Sequence, residues 1–116
     1  MHDIPGPVFE AKIREIVANN PHKVYAGGDD VIGCLYVHHD QEGSPSCGCL
    51  IGQALYECGV PFDVLYGYEG KSAGAVVPVF VDADSRLVGW AEVIQGKQDA
   101  GIPWGECLNA GDRFYG

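Results

Sequence analysis

The side chains best suited to chemistry gather in one stretch of the chain: Cys34, His38, His39, Cys47, Cys49 and Cys58. Thiolates and imidazoles are the usual ligands of zinc, so spacing decides which of them could share an ion. If Val31 to Val37 is a strand, Cys34 and His38 stand about 13 Å apart, whereas two ligands of one zinc lie within about 4 Å of each other. The set that remains is His38, His39, Cys47 and Cys49, all in or beside one loop. Against it, a Cys-x-Cys that opens a helix sends its two side chains to faces about 200° apart. The other role open to Cys34, Cys49, Cys58 and Cys107 is that of small buried hydrophobes, the usual state of a free cysteine. A second chemistry would use Cys47 or Cys49 as a nucleophile activated by a helix N-terminus, with His38 or His39 as its base. No nucleophile signature surrounds either cysteine.

Other constellations point to structure rather than chemistry. The acid pairs Asp29-Asp30, Asp40 with Glu42, and Asp82 with Asp84 lack the ligand order of a calcium loop and suit turns and helix caps. Gly67-Tyr68-Glu69-Gly70-Lys71-Ser72 ends like a phosphate loop, but two residues separate its glycines where that motif has four. Tyr25, Tyr36, Tyr56, Trp90, Trp104 and Phe114 fall on faces expected to point inward. Tyr66 and Tyr68 are the exceptions, because they sit in an acidic, Gly-rich segment. With Asp63 and Glu69 they form a candidate contact surface for another protein, tyrosine offering area and a hydrogen bond at small entropic cost.

These residues need elements to hold them. Pro7 suits a first helical position, and Phe9, Ile13, Ile16 and Val17 follow at helical spacing up to a stop before Pro21. Lys23–Ala26 and Val31–Val37, separated by Gly27-Gly28-Asp29-Asp30, read as a β-hairpin. His38 to Ser46 reads as a polar loop. Cys47–Cys58 is apolar nearly all round and is expected to be the central helix, with Gly48 and Gly52 admitting a neighbour and Gly59 as its left-handed cap. A short helical turn is expected over Phe62–Tyr66. Ala75–Val81 reads either as an edge strand or as a helix opened by Pro78. From Asp84 or Ser85 a helix runs to Ala100, closed by Gly101. Pro103 opens a last helix with Trp104, Cys107, Leu108, Gly111 and Tyr115 on one face, and Asp99 is expected to bond its first N–H groups. The fold class is α+β: an N-terminal helix, a small hairpin, then three to four packed helices in one domain over residues 1–116.

A chain of 116 residues holds one domain of this kind, and 7 Lys+Arg against 16 Asp+Glu give it a formal charge of −9. Seven scattered basic residues make no phosphate-binding surface, so direct nucleic-acid binding is not expected. An anionic membrane is disfavoured for the same reason, and Ala73 to Val81 is too short to span a bilayer. The first residues carry neither a basic nor an apolar run, so no signal peptide is expected. An odd count of five cysteines then suggests reduced thiols in the cytoplasm.

The order Cys34-Leu35-Tyr36, Cys49-Leu50-Ile51-Gly52-Gln53-Ala54-Leu55, Gly59-Val60-Pro61, Gln98-Asp99-Ala100-Gly101 and Trp104-Gly105 resembles small uncharacterised proteins of actinobacteria and their phages. The resemblance runs over most of the chain from Tyr25 onward. It implies an actinobacterial or phage protein of the cytoplasm and brings no activity, cofactor or catalytic residue. Cys47, Cys58 and the His38-His39 pair stand outside its pattern. The expected function is non-catalytic binding to another protein, a host factor if the chain is phage-encoded, with self-association as a further mode. The alternatives are a zinc- or thiol-dependent enzyme centred on His38 to Cys49, zinc being the one cofactor these residues suggest, and an acidic mimic of nucleic acid.

Overall fold

The computed structural model describes residues 4–24, 37–39, 45–47, 49–68 and 71–115, with 37–39 and 45–47 described by their backbone. The chain enters through β1 (Ile4–Pro5) and turns at once into α1 (Gly6–Asn19). Phe9, Ile13, Ile16 and Val17 are buried, as their spacing predicts. The helix stops at Asn20, whose side-chain amide donates to Ile16 O at 2.9 Å, one residue short of Pro21.

The expected hairpin is not what the described residues form. Lys23 and Val24 are irregular, and residues 25–36 lie outside the described residues. Among the described residues Val37 belongs to β2 (Val37–His39), which pairs with β3 (Pro45–Cys47). The pair is antiparallel, with Val37 opposite Cys47 and His38 opposite Ser46. Both ends of the expected polar loop are therefore strand. Alternation over three residues is too short a signal to separate strand from loop.

α2 (Leu50–Glu57) buries Leu50, Ile51, Gly52, Ala54 and Leu55. It ends in a Schellman closure: Gly59 takes φ 109°, its N–H donates to Tyr56 O, and the Val60 N–H donates to Leu55 O. The short α3 (Phe62–Tyr66) follows with Leu65 turned inward. Next comes α4 (Ala73–Phe80), so Ala75–Val81 is neither an edge strand nor a helix opened by Pro78. Ser72 caps it, accepting from the Ala75 N–H at 3.3 Å, and Pro78 sits within the helix. With one missing N–H in so short a helix, burial of Ala73, Val76, Val77 and Phe80 outweighs the proline. Beyond it, β4 (Val81–Asp82) pairs in parallel with β1, Ile4 beside Val81. Gly6 makes this junction possible, because a Cβ there would lie 2.8 Å from Asp82 O.

Asp84 caps α5 (Ser85–Asp99), accepting from the Leu87 N–H at 2.8 Å. Gly101 closes that helix at φ 85° with the same Schellman pattern, Gly101 N–H to Gln98 O and Ile102 N–H to Lys97 O. α6 (Trp104–Tyr115) completes the order. Its first N–H groups are met by the backbone, Trp104 donating to Lys23 O and Gly105 to Pro21 O, each at 2.9 Å. Asp99 is not their acceptor; its carboxylate receives the Gln98 amide at 3.2 Å.

The hub is α5, which packs on α2, α4 and α6. α2 is not central in the sense its composition suggests, since Tyr56 and Glu57 face solvent. α5 and α6 meet closely at Gly111, where a Cβ would stand 2.9 Å from Ile94 and 3.1 Å from Trp90. One continuous core runs from Ile4 through Phe9, Leu50, Val77 and Trp90 to Cys107. Among the described residues no helix is long and apolar enough to cross a membrane.

Candidate functional site

The corner between α2 and α3 presents aromatic rings to solvent. On α2 the buried Leu50, Ile51, Ala54 and Leu55 occupy one side, and at about 100° per residue Tyr56 falls on the other, beside Gln53 and Glu57. Pro61 then turns the chain so that Phe62 opens α3 against Tyr56. The two rings lie 3.9 Å apart and 3° from parallel, so Phe62 covers one face of the tyrosine. Tyr56 stays 39% exposed. Tyr66 is four residues beyond Phe62 on the same side of the helical turn and is 58% exposed. Asp63, three residues before Tyr66 and also exposed, stands on the outer crest.

Carboxylates flank these rings. Glu57 accepts from the Gln53 amide at 3.1 Å and lies 3.8 Å from Lys12 Nζ, which is itself 3.2 Å from Glu15. One lysine thus serves two carboxylates, and the surface keeps a negative excess.

Of the residues the sequence singles out for contact, Asp63 and Tyr66 both stand exposed on α3, three residues apart. Tyr68 lies past the end of α3, half-buried, with its ring edge-on to Phe80 at 5.3 Å. Glu69 lies outside the described residues. Tyr56 and Phe62 were not expected here. Tyr56 was assigned inward, yet its place opposite Leu50 and Leu55 on a helical wheel marks it as solvent-facing. Phe114 likewise proves 65% exposed, and Tyr115 40%, beyond the buried Trp104, Cys107 and Gly111 of α6.

The candidate zinc and thiol residues fare differently. His38, His39 and Cys47 are placed by backbone register alone, on β2 and β3. Cys49 is disulfide-bonded, which corrects the expectation of five reduced thiols and removes its sulfur from both metal ligation and nucleophilic attack in this state. No cluster of three or more metal-ligating side chains occurs among the described residues. Two further cysteines are free. Burial pushes the Cys58 thiol up, and that of Cys107 to about 11, where it donates to Ile102 O at 3.2 Å. Both are protonated at neutral pH and weak nucleophiles.

A second polar region lies between α1, α5 and α6. Arg14 donates to both oxygens of Asp112, at 3.0 and 2.8 Å, and to Glu10 at 3.0 Å. Arg86 donates to the other oxygen of Glu10 at 2.8 Å, and the buried Trp90 Nε1 to Asp112 at 3.0 Å. The Arg86 hydrogen bond holds Glu10 below the usual carboxylate range, and that of Arg14 does the same for Asp112. A groove of about 550 Å³ opens beside Gly6, Glu10, Asp82 and Arg86. Both of its arginines, Arg14 and Arg86, are committed to carboxylates, so this region reads as a clamp between helices.

No protein family, curated protein or solved structure matches the chain. Its function is therefore argued from its own surface.

Proposed function

We propose that the chain acts by non-catalytic binding to another protein through the corner of α2 and α3. The observation that carries this reading is the parallel Tyr56–Phe62 stack with Tyr66 beside it. Rings held rigid by packing lose little entropy on contact, and exposed tyrosines are among the side chains most enriched at protein interfaces. The protonated state of the described free thiols and the disulfide at Cys49 favour this reading over thiol chemistry. The resemblance to actinobacterial and phage proteins makes a host factor the partner to seek first.

The test compares immobilised wild-type chain with Tyr66→Ala and Tyr56→Ala in recovering a partner from actinobacterial lysate. Truncating an aromatic anchor costs more than about 1 kcal/mol of binding, so recovery drops at least about fivefold while the thermal midpoint of Tyr66→Ala stays at the wild-type value. Equal recovery by all three proteins refutes the surface.

A further inference from the structure

The charge around the rings narrows the chemistry of what binds them; this step rests on the binding reading above. Among the described residues, Glu57 on α2 and Asp63 on α3 put two carboxylates at the corner, and the ammonium beside Glu57, Lys12 at 3.8 Å, is shared with Glu15. They sit in a chain whose formal charge is −9. An acidic segment would meet repulsion here, and a wholly apolar one would strip water from Glu57 and Asp63 without replacing their hydrogen bonds. A cation gains from both features, since ring faces attract positive charge and carboxylates accept its hydrogen bonds.

Geometry separates arginine from lysine. A guanidinium is flat, weakly hydrated and able to lie parallel to a ring while its edge N–H groups reach a neighbouring carboxylate. Acids stand within a helical turn of both exposed rings: Glu57 lies about 100° round α2 from Tyr56, and Asp63, three residues from Tyr66, shares its side of α3. The chain already uses this arrangement internally, for Arg14 sits 5.4 Å above the Trp90 ring while donating to Asp112. We infer that the partner is a protein segment presenting an arginine to this platform, its guanidinium stacked on Tyr56 or Tyr66 and hydrogen-bonded to Glu57 or Asp63.

The experiment titrates isotope-labelled full-length chain with a capped eight-residue peptide of alternating arginine and glycine. Lysine and glutamate counterparts of equal length serve as comparisons. The arginine peptide shifts the ring resonances of Tyr56 and Tyr66 saturably and binds more tightly than the lysine peptide, and the glutamate peptide leaves the rings unmoved. Tyr66→Leu weakens the arginine peptide about two- to fivefold. Glu57→Gln with Asp63→Asn weakens it further, and both variants keep the wild-type fold as judged by their remaining backbone resonances.

Equal response to lysine and arginine overturns the inference, as does a response centred on Glu10 and Asp82 or no ring shift at millimolar peptide. Ring shifts that grow with protein concentration alone would assign the platform to a second copy of the chain and also overturn it. The two readings fail separately. Loss of lysate capture by Tyr66→Ala with a silent arginine peptide refutes the arginine and keeps the surface, whereas unchanged capture refutes the surface itself.

Discussion

Two tryptophans are fully buried in this protein, and their indole N–H groups meet opposite fates. Trp90 Nε1 donates to Asp112, a carboxylate already held by Arg14. Trp104 Nε1 is buried with no hydrogen-bond partner among the described residues, although Lys23 Nζ lies 4.6 Å over its ring. A hydrogen bond to a charged group contributes about 1.5–3 kcal/mol, whereas a buried donor left unpaired costs about 1–3 kcal/mol. Replacing either indole by phenyl removes a similar apolar area, so the difference between the two variants isolates the N–H. Trp90→Phe is expected to destabilise the protein by about 2 kcal/mol more than Trp104→Phe in urea unfolding. Equal losses would mean that the Trp90–Asp112 bond contributes nothing net. Residue-scale logic also separates the two groups of ionisable side chains. Glu10, Arg14, Arg86 and Asp112 satisfy one another across helices, and the Tyr56–Tyr66 corner keeps its carboxylates near the surface, where a partner can reach them.

At the scale of elements, two long-range side-chain caps come from one helix. Gln98 on α5 accepts from the Leu50 N–H at 2.8 Å, and Gln95, three residues earlier, accepts from the Ala73 N–H at 2.6 Å. The starts of α2 and α4 are thus fixed by side chains buried in α5, and Cys49 supplies no side-chain cap of its own. Gln98→Leu keeps the volume but leaves a buried N–H unpaired, so it should cost about 1–3 kcal/mol. Amide exchange in the first turn of α2 should accelerate with it; unchanged protection of Ile51 and Gly52 would show that the cap is dispensable. These caps explain which parts of the fold can be read from the sequence. Asp84, Gly59 and Gly101 act within five residues of themselves, and their roles were legible from type and position alone. Gln98 acts over 48 residues, and nothing local marks it as the cap of α2, while Asp99 beside it was expected to cap α6 and does not. α1 and α5 were legible because a helical period repeats over 14 and 15 residues. β1 and β4 are two residues each and carry no period, so their parallel pairing emerges only from tertiary contact. The site divides the same way: Asp63 and Tyr66 follow from a short exposed turn, whereas the placement of Phe62 on Tyr56 depends on how Pro61 sets α3 against α2.

For the whole molecule, the question is how an excess of carboxylates affects stability as pH changes. Glu10 and Asp112 have folded-state pKa values below their ordinary 4.5 and 3.8, because Arg86 and Arg14 hydrogen-bond their ionised forms. A carboxyl whose pKa is lowered by folding contributes stability that is present above the unfolded value and lost as pH falls through the folded one. Asp99 has the opposite sign. Desolvation of its carboxyl raises its pKa above 3.8, so its contribution is present below that value and lost as pH rises through the folded one. Two groups therefore favour neutral pH against one that favours acid, and the two are joined in a clamp across α1, α5 and α6. Protonation also relieves the repulsion within a chain of charge −9, but that repulsion is spread over exposed groups and is screened beyond about 8 Å at physiological salt. The clamp should dominate. Urea midpoints are expected to stay level from pH 7 to about 5 and to fall below about 4.5 as Glu10 and Asp112 take up protons. Asp112→Asn keeps an oxygen acceptor for Trp90 while removing one of the two titrating partners, so its acid limb should be shallower than that of the wild type. A profile that is level down to pH 3, or an identical limb in the variant, would show that the clamp does not couple folding to proton uptake.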